Sequence, residues 1–129
     1  MTSRPEPEAQ LPLRLTPENL FRTLSDGTRL RAVLLMAEEG ELCVCELMVA
    51  LRVSQPKMSR HLAVLRDAGV VSDRRDSVWI HYRIANDLPV WARRIIQETA
   101  ERCRGMEPFI ADGQRLHRMP DRPGRRCLS

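Results

Sequence analysis

The fold of this chain is decided by residues 43–84, which read CVCELMVALRVSQPKMSRHLAVLRDAGVVSDRRDSVWIHYRI. The first part predicts a helix over roughly 43–51, followed by a turn at 52–54. Ser54 is a favourable N-cap, so a second helix is expected to begin there and to end at Gly69. Two helices joined by a short turn form a helix-turn-helix.

The second of these helices separates an apolar face from a polar one. Met58, Leu62 and Leu65 recur at helical spacing and are expected to be buried. Pro56 is tolerated in the first turn because the amide at that position has no partner within a helix. The polar residues on the remaining surface are Gln55, Lys57, Ser59, Arg60 and His61. We expect these side chains to face solvent or a binding partner.

A β-hairpin is predicted to follow the two helices. Residues 70–75 and 78–84 have the composition of strands, and they flank a turn at 76–77. Apolar and polar residues alternate along the second strand, which is the pattern of a half-buried sheet. A helix-turn-helix followed by such a hairpin is a winged helix-turn-helix, a mainly α-helical fold with a small β-hairpin.

Three further helices complete the predicted domain of residues 16–105. They cover about 17–24, the stretch from the break at 25–27 to Glu39, and about 88–104. The expected order of elements is therefore ααααββα. The first and last of these helices have apolar stripes wide enough to contact a second copy of the chain, so we expect a homodimer formed by residues 17–24 and 88–104.

The two ends of the chain differ in composition from this domain. Residues 1–15 contain three prolines and no periodicity, which predicts a flexible N-terminal arm. Residues 106–129 are rich in Arg, Pro and Gly, which predicts a disordered tail. No stretch approaches the length of a transmembrane helix and the N-terminus lacks the pattern of an export signal, so we expect a cytoplasmic protein.

Charge is concentrated in one part of the chain. The formal net charge is +4, and residues 52–84 alone carry seven basic and three acidic side chains. A local positive surface on a helix and hairpin indicates nucleic-acid binding. An enzyme is not expected, because the three histidines (61, 81 and 117) have no nucleophile or carboxylate partner at a useful spacing.

The second helix of a helix-turn-helix enters the major groove of double-stranded DNA. We therefore expect its polar residues to contact base edges and phosphates, since Gln suits adenine and Lys or Arg suits guanine. Arg74 and Arg75 on the hairpin are expected to contact the DNA backbone or the adjacent minor groove. The predicted DNA-binding set is Gln55, Lys57, Ser59, Arg60, His61, Arg74 and Arg75.

Cys43 and Cys45 lie at the start of the helix-turn-helix. A reducing compartment disfavours a disulfide, so metal or metalloid binding is the favoured use of the pair. On a regular helix, residues two apart point about 200° from each other, so capture of one ion is expected to unwind the helix start. Thiols near a helix N-terminus are also expected to have a lowered pKa.

Three stretches resemble the ArsR/SmtB family of metalloregulatory repressors. They are LSDGTRLRAVLLM (24–36), ELCVCELMVALRVSQPKMSRHLAVLRDAGVV (41–71) and VWIHYRI (78–84). The resemblance covers about residues 17–104. It implies a homodimeric repressor that binds the operator of its own arsenical-resistance operon. It further implies that the repressor dissociates when As(III) or Sb(III) binds the thiols of Cys43 and Cys45.

This chain departs from the best-known arsenic-responsive members of that family, which carry a third cysteine three residues after the second, where Met48 stands here. Three ways of completing the site remain open. The two thiols could be joined by an exogenous ligand, or a third sulfur could come from Met48, Cys103 or Cys127. The effector could also be a methylated arsenical, which needs only two thiols. The alternatives are a zinc, cadmium or lead sensor and a thiol redox-sensing repressor of the same fold. Zinc, cadmium and lead sensors of this family use extra Cys or His in the N-terminal arm, or Asp, His and Glu on the last helix. Such a sensor is disfavoured because residues 1–16 contain no Cys or His and residues 88–104 contain no His.

Overall fold

The computed structural model describes residues 15–122. The helices in this part of the chain are α1 (Pro17–Leu24), α2 (Gly27–Glu39), α3 (Val44–Leu51), α4 (Gln55–Asp67), α5 (Val90–Cys103) and α6 (Phe109–His117). The strands are β1 (Leu42–Cys43), β2 (Val71–Asp76) and β3 (Trp79–Ile84). They form one antiparallel sheet with the strand order β1-β3-β2.

The first two helices begin and end where local sequence signals place them. The Thr16 side chain accepts a hydrogen bond from the Asn19 backbone N–H at 3.1 Å, which caps α1. Asp26 does the same for α2 by accepting from the Arg29 N–H at 3.0 Å. Gly40 follows α2 with φ of 87°, a conformation that glycine adopts without steric cost.

Helices α3 and α4 form the predicted helix-turn-helix. Ser54 caps α4 as expected, and the inward-facing residues Met58, Leu62 and Leu65 are each 0% exposed. The turn contains Arg52 in the left-handed region at φ 57°, which allows the chain to reverse direction between the helices. The apolar spacing of α4 therefore anchors it in the core and leaves its polar side on the surface.

The sheet has one more strand than the predicted hairpin. Leu42 pairs with Tyr82 and Cys43 pairs with His81, so the two-residue strand β1 lies along β3. The helix expected over 43–51 therefore begins one residue later, after Cys43. A strand this short has no recognisable periodicity, and its formation depends on partners 40 and 38 residues away in sequence.

The expectation of a disordered tail over 106–129 is wrong for the residues that form α6. Leu116 is 0% exposed in the core, and Phe109 packs against the core from a partly buried position. Asp112 is 1% exposed and accepts hydrogen bonds from Arg31 at 2.6 and 2.8 Å and from Arg115 at 2.8 Å. Apolar anchors at helical spacing and a neutralised buried carboxylate thus order this segment despite its Arg- and Gly-rich composition.

Parts of the two predicted terminal segments lie outside the described residues, namely 1–14 and 123–129. Leu15, assigned to the flexible arm, is buried in the core at 6% exposure. Within the described residues no helix is long and apolar enough to cross a membrane.

Packing of α6 has a measurable consequence for stability. We expect Leu116→Ala to lower the free energy of unfolding by about 2–5 kcal/mol, because it leaves a cavity at a fully buried site. Gln114→Ala, at an exposed position of the same helix, is the control and should change stability by less than about 0.5 kcal/mol. Urea unfolding followed by circular dichroism measures both, and equal stabilities would show that α6 does not pack on the domain.

Candidate thiol site and nucleic-acid interface

The sulfur atoms of Cys43 and Cys45 lie side by side. Their Sγ atoms are 3.0 Å apart, close enough for an S–H···S hydrogen bond. Cys43 is the N-cap of α3 and has extended backbone angles, φ −90° and ψ 166°, whereas Cys45 is in the first turn of the helix. The expectation that the two thiols point apart until the helix unwinds is therefore wrong, because Cys43 belongs to β1 and not to a regular helix.

A buried carboxylate organises the backbone at this site. Glu46 is 0% exposed, and its Oε1 accepts a hydrogen bond from the Cys43 backbone N–H at 2.8 Å. Its Oε2 accepts from Nε of Arg122 at 2.6 Å, and the Arg122 side chain is only 11% exposed. The guanidinium thus compensates the burial of the carboxylate, which would otherwise be strongly destabilising.

Burial changes the acidity of one thiol. Cys43 is 1% exposed, and desolvation, with a further contribution from the hydrogen bond to Cys45, raises the pKa of its thiol well above the ordinary value. The expectation of a lowered pKa is wrong for Cys43, because the loss of hydration outweighs the favourable effect of the helix N-terminus. The Cys43 side chain is therefore a neutral thiol at neutral pH.

The thiol pair joins the hairpin to the helix-turn-helix. Cys43 is paired with His81 on β3, and His81 is in turn paired with Arg74 on β2, so the three residues lie in register across the sheet. Helix α3 begins at the next residue, Val44. A change in the backbone at Cys43 would therefore affect residues joined directly to the hairpin and to α3, the first helix of the helix-turn-helix.

An ion pair strengthens the link between the thiol strand and the hairpin. Arg74 donates to Glu41 through Nη2 at 2.6 Å and through Nε at 3.1 Å. These hydrogen bonds lower the pKa of the Glu41 carboxyl. Glu41 lies two residues before Cys43, so the ion pair holds the Arg74 side chain on the face of the sheet that carries the Cys43 side chain. His81, which is paired with both Cys43 and Arg74, is 2% exposed.

The other sulfur-bearing candidates lie in different surroundings. Cys103, at the end of α5, is buried and lines a cavity of about 290 Å³ between α2, α5 and α6. Met48 is partly buried and packs against the core. Among residues 15–122, no group of three or more His, Cys, Asp or Glu side chains is arranged to hold a metal ion.

The predicted DNA-contacting residues of α4 are largely on the surface. Gln55, Lys57 and Arg60 are exposed, and the Gln55 amide donates to the Ser59 hydroxyl at 3.0 Å. His61 differs, because its side chain is 20% exposed. It points towards the start of α2, with Nδ1 3.3 Å from Arg29 Nη1 and 3.8 Å from Asp26 Oδ2. His61 is therefore less accessible to DNA than Gln55, Lys57 and Arg60.

The two hairpin arginines differ as well. Arg74 is engaged with Glu41, whereas the adjacent Arg75 is exposed and pairs with Ile80 in the β2–β3 ladder. Side chains of neighbouring strand residues point to opposite faces of the sheet. The structure thus separates the pair that the sequence analysis treated as equivalent. DNA contact by either arginine stays a prediction.

Sequence reasoning missed Glu46 and Arg122 as parts of the thiol site. One signal for Glu46 was present, because an acidic residue three positions after an N-cap is the spacing of a capping box. Arg122 had no such signal, because its contact with Glu46 joins residues 76 positions apart.

The raised pKa of Cys43 predicts slow alkylation. We expect iodoacetamide to modify Cys43 far more slowly than a free thiol at neutral pH, because the reactive thiolate is scarce and the sulfur is buried. The rate should keep rising at pH values well above about 8.5, the pKa of an ordinary cysteine, where the rate for an ordinary thiol approaches its maximum. Peptide mass spectrometry of a pH series measures this, with the unfolded protein as reference. Modification at the free-thiol rate would contradict the burial.

Comparison with known proteins places this arrangement in a family. The model described as "Bacterial regulatory protein, arsR family" matches residues 26–73. The chain is 49% identical over 112 residues to the arsenic resistance transcriptional regulator ArsR2 of Pseudomonas putida KT2440, covering 86% of this chain and 95% of that protein. It is 55% identical over 89 residues to the arsenical resistance operon repressor of Escherichia coli K12, covering 69% and 75%.

Solved structures show the same fold. The transcriptional repressor BigR from Xylella fastidiosa superimposes with a TM-score of 0.57 at 34% identity, covering 65% of this chain and 82% of that one. A homodimeric winged helix-turn-helix DNA-binding domain from Mycobacterium bovis has a TM-score of 0.58 at 24% identity, covering 83% and 94%. With its winged helix-turn-helix and a relative 49% identical that is matched over 95% of its length, the chain belongs to the arsR family of bacterial regulatory proteins.

Proposed function

We propose that this protein is a metalloid-responsive transcriptional repressor. It binds operator DNA as a homodimer and dissociates when trivalent arsenic or antimony bonds to Cys43 and Cys45. Release of the operator permits expression of an arsenic-resistance operon. The observation that carries the proposal is the pair of Sγ atoms 3.0 Å apart, located between the hairpin and the first helix of the helix-turn-helix. The names of the relatives 47–55% identical to this chain support the choice of arsenic.

The chemistry of the pair suits a soft, thiol-seeking element. Two sulfurs at this separation can bond to one arsenic or antimony atom, for which thiolate sulfur is a preferred ligand. Arsenous acid exchanges a hydroxide for each thiol, and the thiol proton leaves with that hydroxide as water. The exchange releases no net proton, so the raised pKa of Cys43 does not oppose it.

Binding of a divalent cation, in contrast, releases protons from its thiol ligands. Zinc or cadmium must displace the protons of its cysteine ligands, so a raised thiol pKa weakens its binding at neutral pH. The described residues also offer no cluster of three or more metal-ligating side chains. Both observations favour arsenic over the zinc, cadmium or lead sensor. The protonated state of Cys43 likewise disfavours a redox sensor, because oxidation starts from the thiolate.

Release of DNA follows from the position of the pair. Arsenic would join Cys43, which is paired with the hairpin, to Cys45, which is in the first turn of α3. The new bonds replace the thiol–thiol contact and alter the backbone at the junction. Because Glu41 and Arg74 connect this strand to β2, the hairpin and the helix pair shift relative to each other. A coupling free energy of about 1–3 kcal/mol, or about 5- to 150-fold in affinity, is typical of such regulation.

Apolar side chains on α1 and α5 suit a second copy of the chain. Phe21 is 54% exposed, Val90 66% and Trp91 36%, although the inner side of α5 is buried in the core. Exposed aromatic residues of this kind commonly mark protein interfaces. A two-fold dimer formed by these helices would match two half-sites on DNA.

The effector site is tested by DNA mobility shift. We expect arsenite to weaken operator binding by the wild-type protein by about 5- to 150-fold. Cys43→Ser and Cys45→Ser should each bind DNA and keep binding it when arsenite is added, because one thiol cannot hold the metalloid alone. Cys103→Ser is the control and should release DNA like the wild type. Release of DNA by the Cys43 and Cys45 variants would refute the site. Release by peroxide without arsenite would favour the redox alternative.

The DNA interface is tested with variants that differ in their contacts. We expect Arg60→Ala to weaken specific binding by about 1–3 kcal/mol if the side chain contacts a base. Lys57→Ala should reduce the slope of log K against log salt concentration by about one. Arg75→Ala should weaken DNA binding more than Arg74→Ala, because Glu41 already holds Arg74. Fluorescence anisotropy at several salt concentrations measures these effects. Unchanged affinity in all four variants would place the DNA-binding surface elsewhere.

A further inference from the structure

Arg29 connects three helices at one place. Its backbone N–H in the first turn of α2 donates to the Asp26 side chain at 3.0 Å. Nε of its side chain donates to the Thr23 carbonyl oxygen in the last turn of α1 at 2.7 Å. Nη1 of the same side chain lies 3.3 Å from Nδ1 of His61 on α4. One guanidinium therefore links the end of α1 to the second helix of the helix-turn-helix.

The contact between Arg29 and His61 fixes which nitrogen of the imidazole carries the proton. A guanidinium has N–H donors, has no acceptor and keeps its charge in proteins, so Nδ1 of His61 must be the acceptor. The Oδ2 atom of Asp26 is 3.8 Å from the same nitrogen, which is too far for a hydrogen bond. The neutral His61 ring therefore carries its proton on Nε2.

Partial burial strengthens this cluster. Thr23 is 6% exposed and the His61 side chain 20%, so access of water to the two hydrogen bonds of the guanidinium is restricted. A hydrogen bond from a charged donor is also about twice as strong as one between neutral groups. Donation by the Arg29 backbone N–H lowers the pKa of the Asp26 carboxyl, so the N-cap of α2 keeps its negative charge beside the guanidinium.

The two helices that Arg29 links have different places in the proposed complex of dimer and DNA. Helix α1 carries Phe21, which is 54% exposed in the surface proposed for the second copy. Helix α4 carries the exposed residues Gln55 and Arg60. Its apolar side is buried in the core, and the contact of His61 with Arg29 adds a directional restraint. Because a two-fold axis repeats the position of α4 in both protomers, this restraint would act on the separation of the two copies of α4.

We propose that Arg29 is a positioning residue that sets the spacing of the two DNA half-sites accepted by the homodimer. Through Thr23 and His61 it fixes the orientation of α4 relative to the dimer surface on α1. His61 then acts through Arg29 and not by contact with a base. This inference rests on the proposed function, because it concerns a homodimer bound to two half-sites. It does not depend on the effector site at the thiols.

The spacing of half-sites is a sensitive readout because DNA is helical. One base pair inserted between two half-sites separates them by about 3.4 Å more and rotates them by about 35° relative to each other. Two firmly oriented copies of α4 engage both half-sites at one spacing, whereas loosely oriented copies tolerate several. A loss of folded protein, in contrast, lowers binding to every duplex by the same factor. The ratio of affinities at two spacings therefore reports the orientation of α4 and not the stability of the fold.

The test uses duplexes that differ in spacing alone. A duplex with two half-sites is selected from a random library by the wild-type protein, and a second version carries two inserted base pairs. We expect the wild type to prefer the selected spacing on the order of 100-fold, because the second duplex engages one half-site at a time. Arg29→Met and His61→Ala should each reduce this preference by about fivefold or more. Arg66→Ala, at an exposed arginine of α4 outside the cluster, is the control and should retain the preference. Fluorescence anisotropy measures the affinities.

A double-mutant cycle separates positioning from direct contact with DNA. If His61 acts through Arg29, His61→Ala has no further effect in the Arg29→Met background, whereas independent contacts with DNA would add their losses. His61→Asn keeps an acceptor near the position of Nδ1 and should restore most of the preference. Equal affinity of the wild type for both duplexes, an unaltered preference in both single variants, or additive losses in the double variant would each overturn the proposal.

The imidazole provides a second measurement, which needs no DNA. In the ¹⁵N spectrum of the wild-type protein, neutral His61 should carry its proton on Nε2, and Arg29→Met should give a mixture of the two tautomers. A proton on Nδ1 in the wild type would overturn the link between Arg29 and His61. A wild-type protein that selects no duplex with two half-sites would instead refute the proposed function, so the two failures are distinguishable.

Discussion

The buried carboxylate of Glu46 is the interaction on which the thiol site depends. One oxygen accepts from the backbone amide of Cys43 and the other from Arg122, so a single side chain holds the N-terminus of α3 and the segment after α6 together. A carboxylate that is 0% exposed is stable only when both of its oxygens are satisfied. Loss of either partner would leave a buried charge uncompensated. The backbone conformation that places the two sulfurs side by side is therefore tied to the packing of the C-terminal helix.

The sheet connects this site to the surface that is proposed to contact DNA. Cys43, His81 and Arg74 lie in register across three strands, and the Glu41–Arg74 ion pair spans the same face. On the other side of Cys43, α3 leads through the turn at Arg52 to α4. A ligand at the thiols, as proposed, would thus act on the hairpin and on the helix pair through covalent and hydrogen-bonded neighbours. No long pathway through the core is needed, in contrast to regulation between distant sites.

Local signals were sufficient to predict most of the fold. N-caps at Thr16 and Ser54 and the buried stripe of α4 follow from neighbours in sequence, and the structure confirms them. The errors arose where contacts between distant residues decide the conformation. Strand β1 exists because β3 pairs with it, and this pairing makes the backbone of Cys43 extended. The regular helix expected at Cys43 from the sequence therefore predicted the wrong position for its sulfur. Helix α6 was hidden by an Arg- and Gly-rich composition, although Asp112 and Leu116 bury it against the domain. The predicted site residues Cys43 and Cys45 are adjacent in space. Of their buried partners, Glu46 had a signal in the capping-box spacing, whereas Arg122, 76 positions away, had none.

The brevity of β1 has a kinetic consequence. Only two residue pairs join this strand to β3, yet Cys43 is 1% exposed. A solute can reach its sulfur only after a local opening of the structure, and a ladder of two residue pairs opens far more often than the whole domain unfolds. For the proposed effector, the rate of bonding at Cys43 would therefore have a ceiling set by this local opening, however concentrated the effector becomes. Warming, which accelerates such openings, would raise that ceiling.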